Sequence, residues 1–272
     1  MKFLKQLFDF YINASLHIGI AIIAFIEVCS LHIKNPGDQT GGTIILGTIV
    51  GYNLLKFDIF RNPKILMSKF IFKPIAIFTI VCLVGFAYCF FAMRSNYQTM
   101  FIVPVFIGLI YPFLRKFAFL KIFLVAFCFT FVVVEINIIE VLIDRNVVTL
   151  FEAKLFFIIA ALMIPFEIYD SQFDAETLQT IPQKYGIKTA KIIGIVFVLL
   201  SFFNFKNEMK DDVNLFICDV IIAIIIMLFI VFSSTKRSQY YTSFWVESVP
   251  IFWCLLIGCY KMYPYVIEMF SN

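Results

Sequence analysis

The chain is a succession of apolar segments separated by short polar breaks, and most of these segments are long enough to cross a lipid bilayer. They run Tyr11–Ile33, Gly41–Phe60, Phe70–Met93, Met100–Leu114, Ile122–Ile143, Leu150–Tyr169, Thr189–Phe205, Val213–Ser233 and Tyr241–Tyr263. About 20 apolar residues suffice to span the hydrocarbon core as a helix, which satisfies every backbone group within itself. The composition agrees: 62% of the 272 residues are hydrophobic and 15% charged, too little polar surface for a water-soluble domain of this length. Phe occurs 36 times and Gly 11 times, with no ten-residue alternation, which argues against a β-barrel. The expectation is an all-α, polytopic integral membrane protein of about nine transmembrane helices. It forms a single domain over residues 1–272, with membrane lipid and no nucleic acid among its partners. Met100–Leu114 is short and carries Pro104 and Pro112, so a kink or tilt is expected there.

Lys and Arg set the orientation. If the N-terminus lies in the cytoplasm, fifteen of the 22 basic residues fall on that side of the membrane. That bias favours a cytoplasmic N-terminus. The start, MKFLKQLFDFYINAS, has no small-residue cleavage site and reads as an amphipathic lead-in to a retained first helix. The seven cysteines sit inside apolar runs without CxxC spacing and read as buried thiols rather than metal ligands or disulfides.

One break stands apart from the others. Pro165–Gly194 carries Glu167, Asp170 and Asp174, then a polar turn with Thr180 and Pro182, then Lys184, Lys188 and Lys191. Asp170 and Asp174 are one helical turn apart and share a face. They read either as a solvated acidic helix end or as ligands for a divalent metal with an anionic substrate. The break after the second span holds Asn53, Lys56, Asp58, Arg61 and Lys64. These read as interfacial anchors, except that Asn53 lies about two turns inside the apolar run and should face the bundle interior. The turn Tyr111–Lys121 adds Tyr111, Arg115, Lys116 and Lys121 on the same membrane face, either as topological charge or as a phosphate-binding group.

The segment DSQFDAETLQTIPQKYG, Asp170–Gly186, resembles the second aspartate motif of UbiA-type membrane prenyltransferases. In that family a DxxxD is followed by Thr-apolar-Pro and a Gly-containing helix entry, here Asp170, Asp174, Thr180–Ile181–Pro182 and Gly186. YNLLKFDIF lies where the family carries NDxxDxxxD. Asn53 matches the Asn, while Leu54, Phe57 and Arg61 stand where aspartates belong. Asp58 is one place off that register, about 100° around the helix. Agreement at the level of motifs is confined to about 30 residues.

The resemblance implies Mg²⁺-dependent transfer of a prenyl group from a polyprenyl diphosphate to an aromatic or lipid-like acceptor. Asp170 and Asp174 would hold Mg²⁺ with Glu167 as a helper, and Asn53, Lys56, Asp58, Arg61, Tyr111, Lys121 and Lys184 would contact substrate. With the first motif altered, Lys56 and Arg61 are expected to meet phosphate directly. A non-catalytic isoprenoid- or lipid-binding homologue is the alternative. Several further polar residues sit within spans: Asn13 and His17, Glu27 and His32, Glu135, Asn137 and Glu140, Asp219, and Glu247. Intramembrane carboxylates are costly, and together these residues raise a third reading, an ion-coupled transporter. Asn13 and His17, one turn apart, are expected to pair with another helix.

Overall fold

A computed structural model describes residues 2–34, 40–56, 74–114, 117–173 and 178–271, and no strand occurs among them. The elements are α1 (Lys2–Asn13), α2 (Leu16–Ile33), α3 (Gly41–Lys56), α4 (Pro74–Ala92), α5 (Ser95–Met100), α6 (Ile102–Leu114), α7 (Ala118–Val133) and α8 (Glu135–Ile138). They continue with α9 (Arg145–Asp170), α10 (Ile181–Tyr185), α11 (Ile187–Leu200), α12 (Phe205–Asp211) and α13 (Val213–Phe232), then a π-helical turn Tyr241–Val246 and α14 (Val249–Ser271).

Seven described stretches are long and apolar enough to cross a membrane: Leu16–Ile33, Pro74–Ala92, Ser95–Leu114, Phe119–Ile138, Arg145–Asp170, Val213–Phe232 and Tyr241–Met262. The protein therefore has the make-up of a multi-pass helical membrane protein. Of the other two expected spans, α3 has 16 described residues and α11 has 14. The expected continuation of α3 to Phe60 lies outside the described residues, as do Asp58, Arg61, Asp174 and the Arg115–Lys116 pair.

Several boundaries differ from the sequence reading for local reasons. The first span begins at Leu16 rather than Tyr11, because Ser15 adopts a left-handed conformation (φ 61°) that separates α1 from α2. The Pro-containing fourth span is broken at Phe101 into α5 and α6, with Pro112 kept inside α6. The fifth stops at Ile138 instead of Ile143. Asp144 then caps α9, its carboxylate accepting from the Asn146 amide at 2.9 Å, an arrangement worth about 1 kcal/mol.

The core is organised on α9, which packs against α2, α7, α11, α13 and the π turn. Leu155, Ala160, Ala161, Ile164 and Ile168 are fully buried along it. Against this core, α11 packs closely at Gly194. A Cβ there would lie 3.0 Å from Ile230 Cδ1 on α13 and 3.1 Å from Ile164 Cγ1 on α9. Small residues at such crossings let membrane helices approach closely, where packing rather than hydrophobic exclusion holds them together. On the outside, α4 turns Ile77, Val81, Val84, Tyr88 and Phe91 outward, a surface suited to lipid tails.

Candidate functional site

A cavity of about 500 Å³ lies among α2, α3, α6, α7, α9 and the π turn. Its body is apolar, with Ile22, Phe25, Leu124, Phe129, Ile159 and Leu162 in the walls. Its mouth is polar, because helix ends meet there: Lys56 closes α3, Tyr111 lies in the last turn of α6, Lys121 in the first of α7, and Asp170 ends α9. Of the residues that the sequence reading put on one membrane face, Lys56, Tyr111, Lys121 and Asp170 line this one cavity. Tyr52, Tyr169 and Glu247 join them.

Within the mouth, Lys121 Nζ lies 2.5 Å from Glu167 Oε1, with the Glu167 side chain entirely buried. Glu167 therefore acts on the cavity through Lys121 and is not part of its lining. Tyr111 and Asp170 are within electrostatic reach of the Lys121 ammonium. On the other side the Tyr52 hydroxyl donates to Glu247 Oε1 at 3.1 Å. Lys56 Nζ donates to Asn13 Oδ1 at 3.4 Å and is within electrostatic reach of Glu247.

Asn53 is buried as expected, but its amide is used within the protein. Oδ1 accepts from Ser15 Oγ at 2.6 Å, and Nδ2 donates to Thr79 Oγ1 at 2.9 Å and to the Ala14 carbonyl at 3.2 Å. The residue ties the α1–α2 break to α3 and α4 and does not line the cavity. Lys184 is exposed on α10, its ammonium 5.3 Å from the Tyr185 ring, and is also outside the lining. The Thr-apolar-Pro turn opens α10, with the Thr180 amide donating to Gln183 Oε1 at 3.0 Å. Gly186, at φ 83°, makes the corner into α11, a backbone region that glycine enters without steric cost. Asp58, Arg61 and Asp174 lie outside the described residues.

His17 crosses to another element, as its helical position suggests. Its Nδ1 receives the Tyr11 hydroxyl at 2.7 Å, and Nε2 lies 3.0 Å from the Phe244 carbonyl and 3.1 Å from Ser248 Oγ.

A second polar cluster sits at the other end of the bundle, about 24 Å from the mouth along α9, taking 1.5 Å per residue between Asp170 and Lys154. Lys154 Nζ lies 2.5 Å from Asp219 Oδ2 and 2.9 Å from Glu208 Oε2. Asp219 also accepts from Trp253 Nε1 at 2.8 Å and lies 3.0 Å from His32 Nε2. His32 Nδ1 is in turn 2.8 Å from the Val28 carbonyl. Sequence reading flagged His32 and Asp219 singly and left Lys154 in a basic-residue count. Nothing local links the residues of this cluster, which come from α2, α9, α12, α13 and α14.

Among the described residues, no three of His, Cys, Asp and Glu come together as a metal-binding group. No protein-family model, curated protein or solved structure matches the chain.

Proposed function

We propose that the protein is a UbiA-type intramembrane prenyltransferase, transferring the prenyl group of a polyprenyl diphosphate to an aromatic or lipid-like acceptor. The cavity carries this reading. Its apolar body suits a prenyl tail, and its mouth gathers Lys56, Tyr111, Lys121 and Asp170 where a diphosphate head would lie. On this reading α3 and α11 are taken as shorter crossings beside the seven membrane-long stretches. The mouth is on the side whose basic residues point to the cytoplasm.

The charges at the mouth bear on the metal. Glu167, Asp170 and Glu247 bring three carboxylates against the ammonium groups of Lys56 and Lys121. A diphosphate added to that balance needs further positive charge. Mg²⁺ fits, because it is held by one or two carboxylates with phosphate oxygens and waters completing its shell. Asp170 would hold it, with Asp174 by its place in the motif. When bound, the ion neutralises the leaving diphosphate. Lys121, aimed by Glu167, and Lys56 offer charge-assisted hydrogen bonds to the same group. The apolar walls would keep water from the reacting carbon, and Phe25 and Phe129 are among the aromatic residues that line that space.

The test is binding of geranylgeranyl S-thiolodiphosphate to protein in lipid nanodiscs, with and without Mg²⁺. Wild-type protein should bind at least tenfold more tightly with Mg²⁺, a difference of about 1.4 kcal/mol. Asp170→Asn should remove that difference while leaving the melting temperature unchanged. Magnesium dependence retained in Asp170→Asn would reassign this carboxylate to a helix end.

A further inference from the structure

The first helix is amphipathic, and only half of it packs on the bundle. Along α1, Phe3, Leu4, Leu7, Phe8 and Tyr11 recur at helical spacing on one side, while Lys2, Lys5, Gln6 and Asp9 occupy the other. The second half is held in place. The Phe8 ring lies 5.2 Å from that of Phe244 and 5.4 Å from that of Tyr240, and Phe10 meets Phe78 at 5.8 Å. The Tyr240 hydroxyl donates to the Asp9 carboxylate. The first half lacks such packing: Phe3 is 74% and Leu4 69% exposed, and Leu7 is exposed with them.

These contacts fix the depth of α1. Phe78 is the fifth residue of α4, Tyr240 immediately precedes the stretch Tyr241–Met262, and Ser15 joins α1 to Leu16 of α2. Three membrane-long stretches therefore begin beside α1, which puts it where lipid tails give way to headgroups. At that depth an amphipathic helix sets its apolar side chains into the acyl boundary, and its lysines reach the headgroups. The charges suit an anionic surface. Lys2 and Lys5 belong to α1, and the segment leading to Tyr240 adds exposed Lys236 and Arg237. Asp9, the acidic residue of α1, is engaged by Tyr240.

We propose that α1 is a docking surface for the anionic headgroups of the leaflet at its end of the bundle. Phe3, Leu4 and Leu7 enter the acyl boundary, and Lys2 and Lys5 meet the headgroups. By the bias of basic residues that leaflet is the cytoplasmic one, whose surface is negative. The contact also bears on the cavity. Ile12 and Asn13 line it, and Asn13 Oδ1 accepts from Lys56 Nζ at 3.4 Å, so lipid held along α1 steadies one side of the mouth. Nothing in this depends on what the cavity binds.

The test is hydrogen–deuterium exchange, read by mass spectrometry, on the full chain in nanodiscs of phosphatidylcholine with or without phosphatidylglycerol. At low salt the amides of Phe3–Leu7 should exchange at least fivefold more slowly in the anionic discs, and high salt should remove the difference. Lys2→Gln with Lys5→Gln should remove it as well. Phe3→Gln with Leu7→Gln should leave the segment exchanging fast in both lipids. None of these substitutions touches Phe8–Asn13, the part that packs on the bundle. Melting temperatures in detergent should therefore stay at the wild-type value, which separates a lost lipid contact from a lost fold. Equal exchange in the two lipids overturns the proposal. Slow exchange in both lipids that requires two chains per disc assigns this face to a second copy and overturns it too.

Discussion

The two ends of the bundle use the same kinds of side chain to different effect. Far from the mouth, Lys154 is 1% exposed and held between Asp219 and Glu208, with His32 and Trp253 completing the shell of Asp219. None of these five residues lines the cavity, although Trp253 packs against Phe25 of its wall. At the mouth, Lys121 and Glu167 form a comparable close pair, but Lys121 itself and the neighbouring Lys56, Tyr111, Asp170 and Glu247 line the cavity. A buried charge inside a membrane protein is therefore not by itself a mark of function. Where each charge is met by protein partners it joins helices. Where some face a cavity they are available to a ligand. The transporter reading drew on the number of intramembrane carboxylates, and the far cluster accounts for Asp219 as a helix staple.

The sharpest way to break this comparison is to remove a cation from the closed end. Lys154→Ala strands Asp219 and Glu208, and removing one member of a buried pair costs about 3–5 kcal/mol. The expected result is a large fall in melting temperature of the detergent-solubilised protein, or failure to accumulate. Wild-type stability in this variant would show that the far cluster holds nothing together. Next in size is a paired replacement at the mouth. Replacing a buried ion pair by apolar residues of similar volume is often neutral or stabilising, so Lys121→Met with Glu167→Leu should fold and melt near wild type. Binding of the thiolodiphosphate analogue should nevertheless weaken at least tenfold, about 1.4 kcal/mol. Unchanged affinity would reduce the pair to a second staple. The smallest effect concerns Asn53. Thr79→Val removes one partner of its amide and should cost about 1 kcal/mol, read as a modest stability loss with unchanged analogue binding. A large loss of binding would move Asn53 from scaffold to substrate contact.

Much of the site was legible because helix ends are marked in sequence. Lys56 and Tyr111 stand within four residues of the end of an apolar run, Lys121 just before one and Asp170 just after one, and alternation of span direction puts those boundaries on one face. The Thr180–Pro182 turn and Gly186 are likewise local: a capping residue, a proline near a helix start, and a glycine at positive φ. Glu247 was visible only as a costly carboxylate, since its opening onto the cavity depends on the π turn before it. Asn53 was rightly placed inside, but its partners, Ala14, Ser15 and Thr79, come from neighbouring elements that nothing in its own segment names.

By itself the sequence determined an all-helical chain with membrane-crossing segments, because run length and the need to satisfy every backbone group within the segment leave few other solutions in lipid. Tertiary structure alone decided which polar residues meet. A water-soluble helix announces its inner face by an apolar stripe, whereas a helix apolar all round gives no such direction. Each residue turns the side chain by about 100°, so pairing depends on how every helix is rotated and which helices adjoin it. That is why Glu167, expected to help a metal, is joined to Lys121, and why His32, Lys154 and Asp219, far apart in the chain, form one cluster.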